Sequence, residues 1–180
     1  MDEPLRTEIR TAEAADAEQL SQLMRDTFFA AYGHCSSPDN VATFLAKHYS
    51  AARQLAEITD PNLLTFIASG PGDAWAGFAQ LRTGASAPGE VRLSKPAEVA
   101  RFYFSPSHHG NGFAGQLMQR LMHEAETRGS DGLWLNVWQQ APQPIRFYTK
   151  HGFRIVGTSV FPVGADAQQD WLMQRDFAAA

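Results

Sequence analysis

Leu20, Leu23, Met24, Thr27, Phe28 and Ala31 recur at intervals of three and four, so one side of this stretch is apolar and the spacing predicts an amphipathic helix. Asp16 stands where an N-cap is wanted, and Gly33 closes the pattern. Ahead of it, Leu5 to Thr11 alternates weakly, as a first strand would. A hydroxyl followed by proline, Ser37-Pro38-Asp39, suits the first turn of a second helix whose stripe is Val41, Phe44, Leu45 and His48. Ala51 to Ile58 reads as a further helical piece.

Asp60-Pro61-Asn62 is a turn signal. Leu63 to Ala68 and Trp75 to Leu81 read as two strands of a hairpin turned at Gly70-Pro71-Gly72-Asp73. Gly84 to Lys95, rich in Gly, Ala, Ser and Pro, is predicted to be a mobile loop rather than a domain boundary. Glu98 to Phe104 is the next strand, ending at Ser105-Pro106. Ala114, Leu117, Met118, Leu121, Met122 and Ala125 keep helical spacing up to Gly129, with the Leu117–Met122 stripe in the core. Leu133 to Trp138 is an apolar strand on which Trp134 and Trp138 share a face, expected under a helix. Pro142 to Lys150 reads as a short helix, and Phe153 to Phe161 and Asp170 to Phe177 as closing strands. Consecutive strands give way to a βαβα order, so helix and strand share one core.

Composition narrows the function. A chain of 180 residues with 44% apolar and 19% charged residues fits a single folded domain over residues 1–180. Fifteen basic against nineteen acidic side chains leave a net charge of −4, which argues against nucleic acid as the main partner. One cysteine, Cys35, excludes an internal disulfide framework and a cysteine-based zinc site, and is read as a small apolar filler. His108-His109 has no third ligand at metal spacing, so no metal is expected. No run approaches membrane-spanning length, and a cytoplasmic protein without a membrane partner is the simplest expectation.

The most informative segment is His109-Gly110-Asn111-Gly112-Phe113-Ala114-Gly115, between a predicted strand and a predicted helix. The first amides of a helix lack intrahelical partners and the dipole is positive there, so an anion is favoured. Glycines remove the Cβ atoms that would hold a phosphate away. A P-loop would need Lys and Ser/Thr after the last glycine, whereas Gln116-Leu117 follow. A Rossmann unit wants an acidic residue after the next strand, and Gln139-Gln140 stand there instead.

Val99 to Gly129 resembles the coenzyme A signature of the GNAT family of N-acetyltransferases, whose loop reads Gln/Arg-x-x-Gly-x-Gly/Ala. Gly112 and Ala114 fit, and His109 replaces the usual Gln or Arg. Phe147-Tyr148-Thr149-Lys150-His151-Gly152-Phe153 resembles the family's second signature, with Ala141 where a capping Asn is common. Ser37-Pro38-Asp39-Asn40 and Phe161-Pro162-Val163-Gly164, leading to Asp170-Trp171-Leu172-Met173, are similar to the PaiA group of spermidine/spermine N-acetyltransferases.

This resemblance implies an α/β fold (α+β by stricter usage): a mixed, mostly antiparallel twisted sheet with helices on both faces. It implies acetyl-CoA as co-substrate, entering where Glu98–Phe104 and Leu133–Trp138 splay apart. Backbone groups near Tyr103 and Phe104 would hold pantetheine, and His109, Gly110, Asn111, Gly112, Phe113, Ala114 and Gly115 the pyrophosphate. The acceptor would be a small-molecule amine, polyamine-like, acetylated directly in a ternary complex. Other acceptors (a protein N-terminus or lysine, an antibiotic amine), a non-catalytic acyl-CoA-binding module, and a homodimer all stay open. An alkylamine with a pKa of about 10.4 is almost wholly protonated at pH 7, so attack on a thioester calls for a base, and the leaving thiolate for an acid. By position in the family, Tyr148 is the expected acid and Glu98 the expected base, the latter matching the glutamate of the family's histone acetyltransferases. Phe28, Phe29 and Tyr32 divide between core packing and an acceptor pocket, and Asp170 between a polyamine contact and plain surface.

Overall fold

A computed structural model describes residues 7–163 and 165–177. Strand β1 (Glu8–Thr11) leads through a short 3-10 turn into helices α1 (Ala17–Tyr32), α2 (Pro38–His48) and α3 (Ala51–Ile58). Strands β2 (Leu63–Ser69), β3 (Trp75–Arg82) and β4 (Pro96–Phe104) follow, then α4 (Phe113–Thr127), β5 (Gly132–Trp138), α5 (Pro142–Lys150), β6 (Arg154–Val163) and β7 (Asp166–Asp176). The sheet order is β1-β2-β3-β4-β5-β7-β6, and every pair is antiparallel except β4 with β5. The mixed, mostly antiparallel sheet with helices on both faces is as expected. Leu5 and Gly164, named above, lie outside the described residues.

Strand periodicity sorts side chains to two cores. On β2, Phe66 and Ala68 join Phe113, Leu117, Met118 and Leu121 of α4, while Ile67 joins Leu20, Met24, Phe28 and Phe44 of α1 and α2. Each of the fully buried Phe, Leu, Ile and Met side chains among these stabilises the fold by about 1.5–3 kcal/mol relative to exposure. The register of β3 with β4 shifts once: Arg101 faces Gln80 and Val99 faces Leu81, so Ala100 is an extra residue, a bulge. It puts Val99 and Phe102 on the α4 side, although they are three apart. Arg101 reaches Glu57 of α3 on the other side, with Tyr103 packed there too.

Ser37 caps α2 by accepting from the Asn40 amide at 3.3 Å, and Gly33 follows α1. Asp16 does not cap α1. Its carboxylate accepts from the Glu13 amide at 2.7 Å and pairs with Arg10 at 2.6 Å, and this guanidinium holds it below the usual carboxylate range. The segment expected to be a mobile loop is tied down. Val91 is buried with Trp134 and Leu172, the Arg92 amide donates to Gln174 at 2.7 Å, and Asp131 accepts from the Ser94 and Lys95 amides. Trp134 therefore packs against this segment rather than a helix, while Trp138 does meet one, edge-on to Tyr32 of α1 at 5.9 Å.

Candidate active site

β4 and β5 pair only at Pro96↔Gly132, Ala97↔Leu133 and Glu98↔Trp134. Past Glu98 they diverge, which leaves the facing edges of Val99–Phe104 and Leu135–Trp138 without ladder bonds to each other. A cavity of about 660 Å³ fills that wedge, bounded by Tyr103, Phe104, Trp138, Tyr148 and the loop from His108 to Gly112. A second cavity of about 270 Å³ lies under α2 and the end of β6, with Glu98 and Asp170 in its wall. Tyr32, Val99, Ala100, Arg101, Tyr103 and Asn136 line both, so the cavities meet across the parted strands.

The loop at the larger cavity is built to accept an anion. Gly110 and Gly112 have φ of 82° and 84°, a region costly for residues with a Cβ, and a Cβ at either would meet nothing within 4 Å. Among the described residues, the amides of Gly110, Asn111, Gly112, Ala114 and Gly115 have no hydrogen-bond acceptor, whereas Phe113 donates to Asn111 Oδ1 at 3.1 Å. Phe113 thus serves the core, fully buried, with its amide already engaged. The His109 ring lies 3.0 Å from the Phe104 carbonyl, so it braces the end of β4 against the loop. A pyrophosphate fits this arrangement of free amides, open space and helix N-terminus.

Tyr148 enters the same cavity from α5. Its ring is held edge-on by Phe102 at 6.2 Å and Phe153 at 5.8 Å, and burial pushes its phenol well above the usual range, so it keeps its proton at neutral pH. Its hydroxyl has no hydrogen-bond partner among the described residues and is free to donate.

Glu98 sits at the smaller cavity, where burial raises its carboxyl and Arg82, 3.2 Å away, opposes the rise; the net shift is upward. Arg101 shares that wall and is neutralised from below: it donates to Glu57 at 2.5 Å and Gln80 at 2.6 Å, and Gln80 also donates to Thr65 at 3.1 Å. Burial would raise Glu57, but the Arg101 charge and hydrogen bonds donated by Arg101, Arg53 and Gln80 hold it below the usual range. His48 is pushed down by burial and nearby cations.

Of the residues weighed for an acceptor pocket, Phe28 is core, Phe29 is 61% exposed, and Tyr32 lines both cavities. Asp170 is not plain surface: it is 6% exposed and lines the smaller cavity. Periodicity did not single out Arg101 or Asn136. Asn136 is the polar residue in an otherwise apolar strand, which is the signal it carried, and Ser159 donates to its Oδ1 at 2.7 Å.

Residues 17–153 match the model of the acetyltransferase (GNAT) family. An uncharacterized N-acetyltransferase of Mycobacterium tuberculosis is 32% identical over 161 residues, 89% of this chain and 97% of the relative. The PaiA N-acetyltransferase of Thermoplasma acidophilum, solved in complex with coenzyme A, superposes with a TM-score of 0.77 at 21% identity, over 96% of this chain and all of that one. A nourseothricin acetyltransferase superposes with a TM-score of 0.66 at 22% identity, over 94% and 98% of the two chains. At those identities the two solved structures speak for the fold.

Proposed function

The chain belongs to the acetyltransferase (GNAT) family and is an acetyl-CoA-dependent N-acetyltransferase, and on that premise we propose that it acetylates a small, polyamine-like amine. The observation that carries this reading is the meeting of two unlike cavities at the parted strands: one edged by free amides, the other walled by carboxylates and aromatic rings. We assign the whole chain to one catalytic domain.

In this reading acetyl-CoA takes the wedge, its pyrophosphate on the amides of Gly110, Asn111, Gly112, Ala114 and Gly115 and its pantetheine along Tyr103 and Phe104. The amine arrives from the smaller cavity. An N–C bond forms as the C–S bond breaks; the nitrogen gives up a proton to Glu98, and the sulfur takes one from Tyr148. Glu98 and Tyr148 line opposite cavities, which matches the separate places where a base and an acid are needed. No cysteine lies at either cavity, so direct transfer is the route that needs nothing further.

The test is an acceptor panel with acetyl-CoA (diamines and polyamines, an aminoglycoside, a peptide with a free N-terminus), read by mass for acetyl gain. Turnover of the polyamines ahead of the rest is the expected result. Preference for the peptide or the antibiotic overturns the polyamine acceptor.

A further inference from the structure

Five residues at the smaller cavity carry acidic or basic side chains, and four of them are already satisfied. Arg82 pairs with Glu98 at 3.2 Å, Arg101 with Glu57 at 2.5 Å, and His48 is held toward its neutral form. Asp170 remains. It lies opposite Trp138 on β5, and its backbone carbonyl accepts from Gln139 at 3.3 Å. Among the described residues its carboxylate has neither a hydrogen-bond donor nor an ion-pair partner, although the residue is 6% exposed. A largely buried carboxylate that opens only onto the cavity and has no protein partner is partly desolvated, and a cation that enters the cavity offsets that cost.

The walls around it suit a cation. Tyr32, Phe44, Tyr49, Tyr103 and Phe161 line this cavity, and aromatic faces attract ammonium groups. Phe44 is set against Phe161 at 5.7 Å, so α2 and β6 close over the side where Asp170 stands. Asp170 lies beyond residues 17–153, so the family match does not bear on it.

We infer that Asp170 anchors a second, cationic nitrogen of the acceptor while the reacting nitrogen lies at the parted strands, so that the enzyme selects diamines over monoamines. This rests on the amine-acetyltransferase reading above and adds the residue that confers the choice. Asp170 acts by holding substrate and takes no proton from the reacting nitrogen.

The experiment is steady-state kinetics of the full chain and its Asp170→Asn variant, with diaminobutane and with butylamine. Loss of a charge-assisted contact raises KM for diaminobutane by about tenfold to a hundredfold in the variant, with kcat little changed and butylamine unaffected. An unchanged ratio between the two amines overturns the anchor. So does an equal fall of kcat on both, which would make Asp170 a proton carrier. Should the wild type acetylate neither amine, calorimetry of diaminobutane decides. Saturable binding that weakens in Asp170→Asn keeps the anchor while the proposed acceptor falls, and no binding sinks both. Circular dichroism of the variant shows that the fold is intact.

Discussion

Glu98 stands directly across the β3–β4 ladder from Arg82, its carboxylate 3.2 Å from the guanidinium, at the last residue before β4 leaves β5. The pair keeps the carboxylate available as an acceptor of protons even though burial works against its charge.

Because the carboxyl is raised, acetylation should fall on the acid side at a pH above that of an ordinary carboxylate, as Glu98 protonates. Glu98→Gln should lower kcat and flatten that limb. Retention of the limb in the Gln variant would assign it to another group.

Tyr148→Phe keeps the ring between Phe102 and Phe153 and removes only the hydroxyl. Turnover should drop by about 100-fold while acetyl-CoA affinity stays within about threefold. Stopped-flow turnover beside calorimetry separates the two, and an equal loss of both would make Tyr148 a binding residue.

Gly112→Glu puts a side chain and a negative charge into the open space at the mouth of the larger cavity. Acetyl-CoA affinity should fall by more than about tenfold. The φ of 84° also costs about 1 kcal/mol of stability, visible in denaturant titration. Calorimetry showing unchanged affinity would remove the loop from the pyrophosphate site.

Asp170 is raised from 3.8 to about 6 by burial, so between those values the folded chain holds a proton that the unfolded chain releases. Its contribution to stability is therefore fully present below 3.8 and is lost as pH climbs through about 6. Asp170→Asn escapes that loss. Apo protein carrying the change should melt higher than wild type at pH 8 and close to it at pH 4, as thermal unfolding at the two pH values would show.

Local pattern carried most of the elements. Pro142–Lys150 and Ala51–Ile58 form over the residues their spacing indicates, because helix stripes and Pro or Ser starts are written within one segment. The free amides at Gly110–Gly115 were legible for the same reason. What depends on two distant segments was not. The bulge at Ala100 exists only in the pairing with β3, and the segment before β4 is held by Asp131 and Gln174, far along the chain. Asp170 read equally well as surface, since its burial comes from its place between β5 and β6, under a helix more than a hundred residues earlier.

Ala100 has a consequence for which mutations this strand tolerates. Sides of a strand alternate, so one surplus residue inverts the parity of everything before it relative to the loop. A substitution at Ala100 changes one small side chain. Its deletion would leave Arg101 and Val99 adjacent opposite Gln80 and Leu81, so the ladder would close without a bulge and Glu98 and Arg101 would keep their faces. The strand should therefore tolerate loss of Ala100 far better than loss of a residue from a regular stretch of the sheet. A one-residue gap at Ala100 in an alignment of relatives would leave the polar and core faces of this strand as they are.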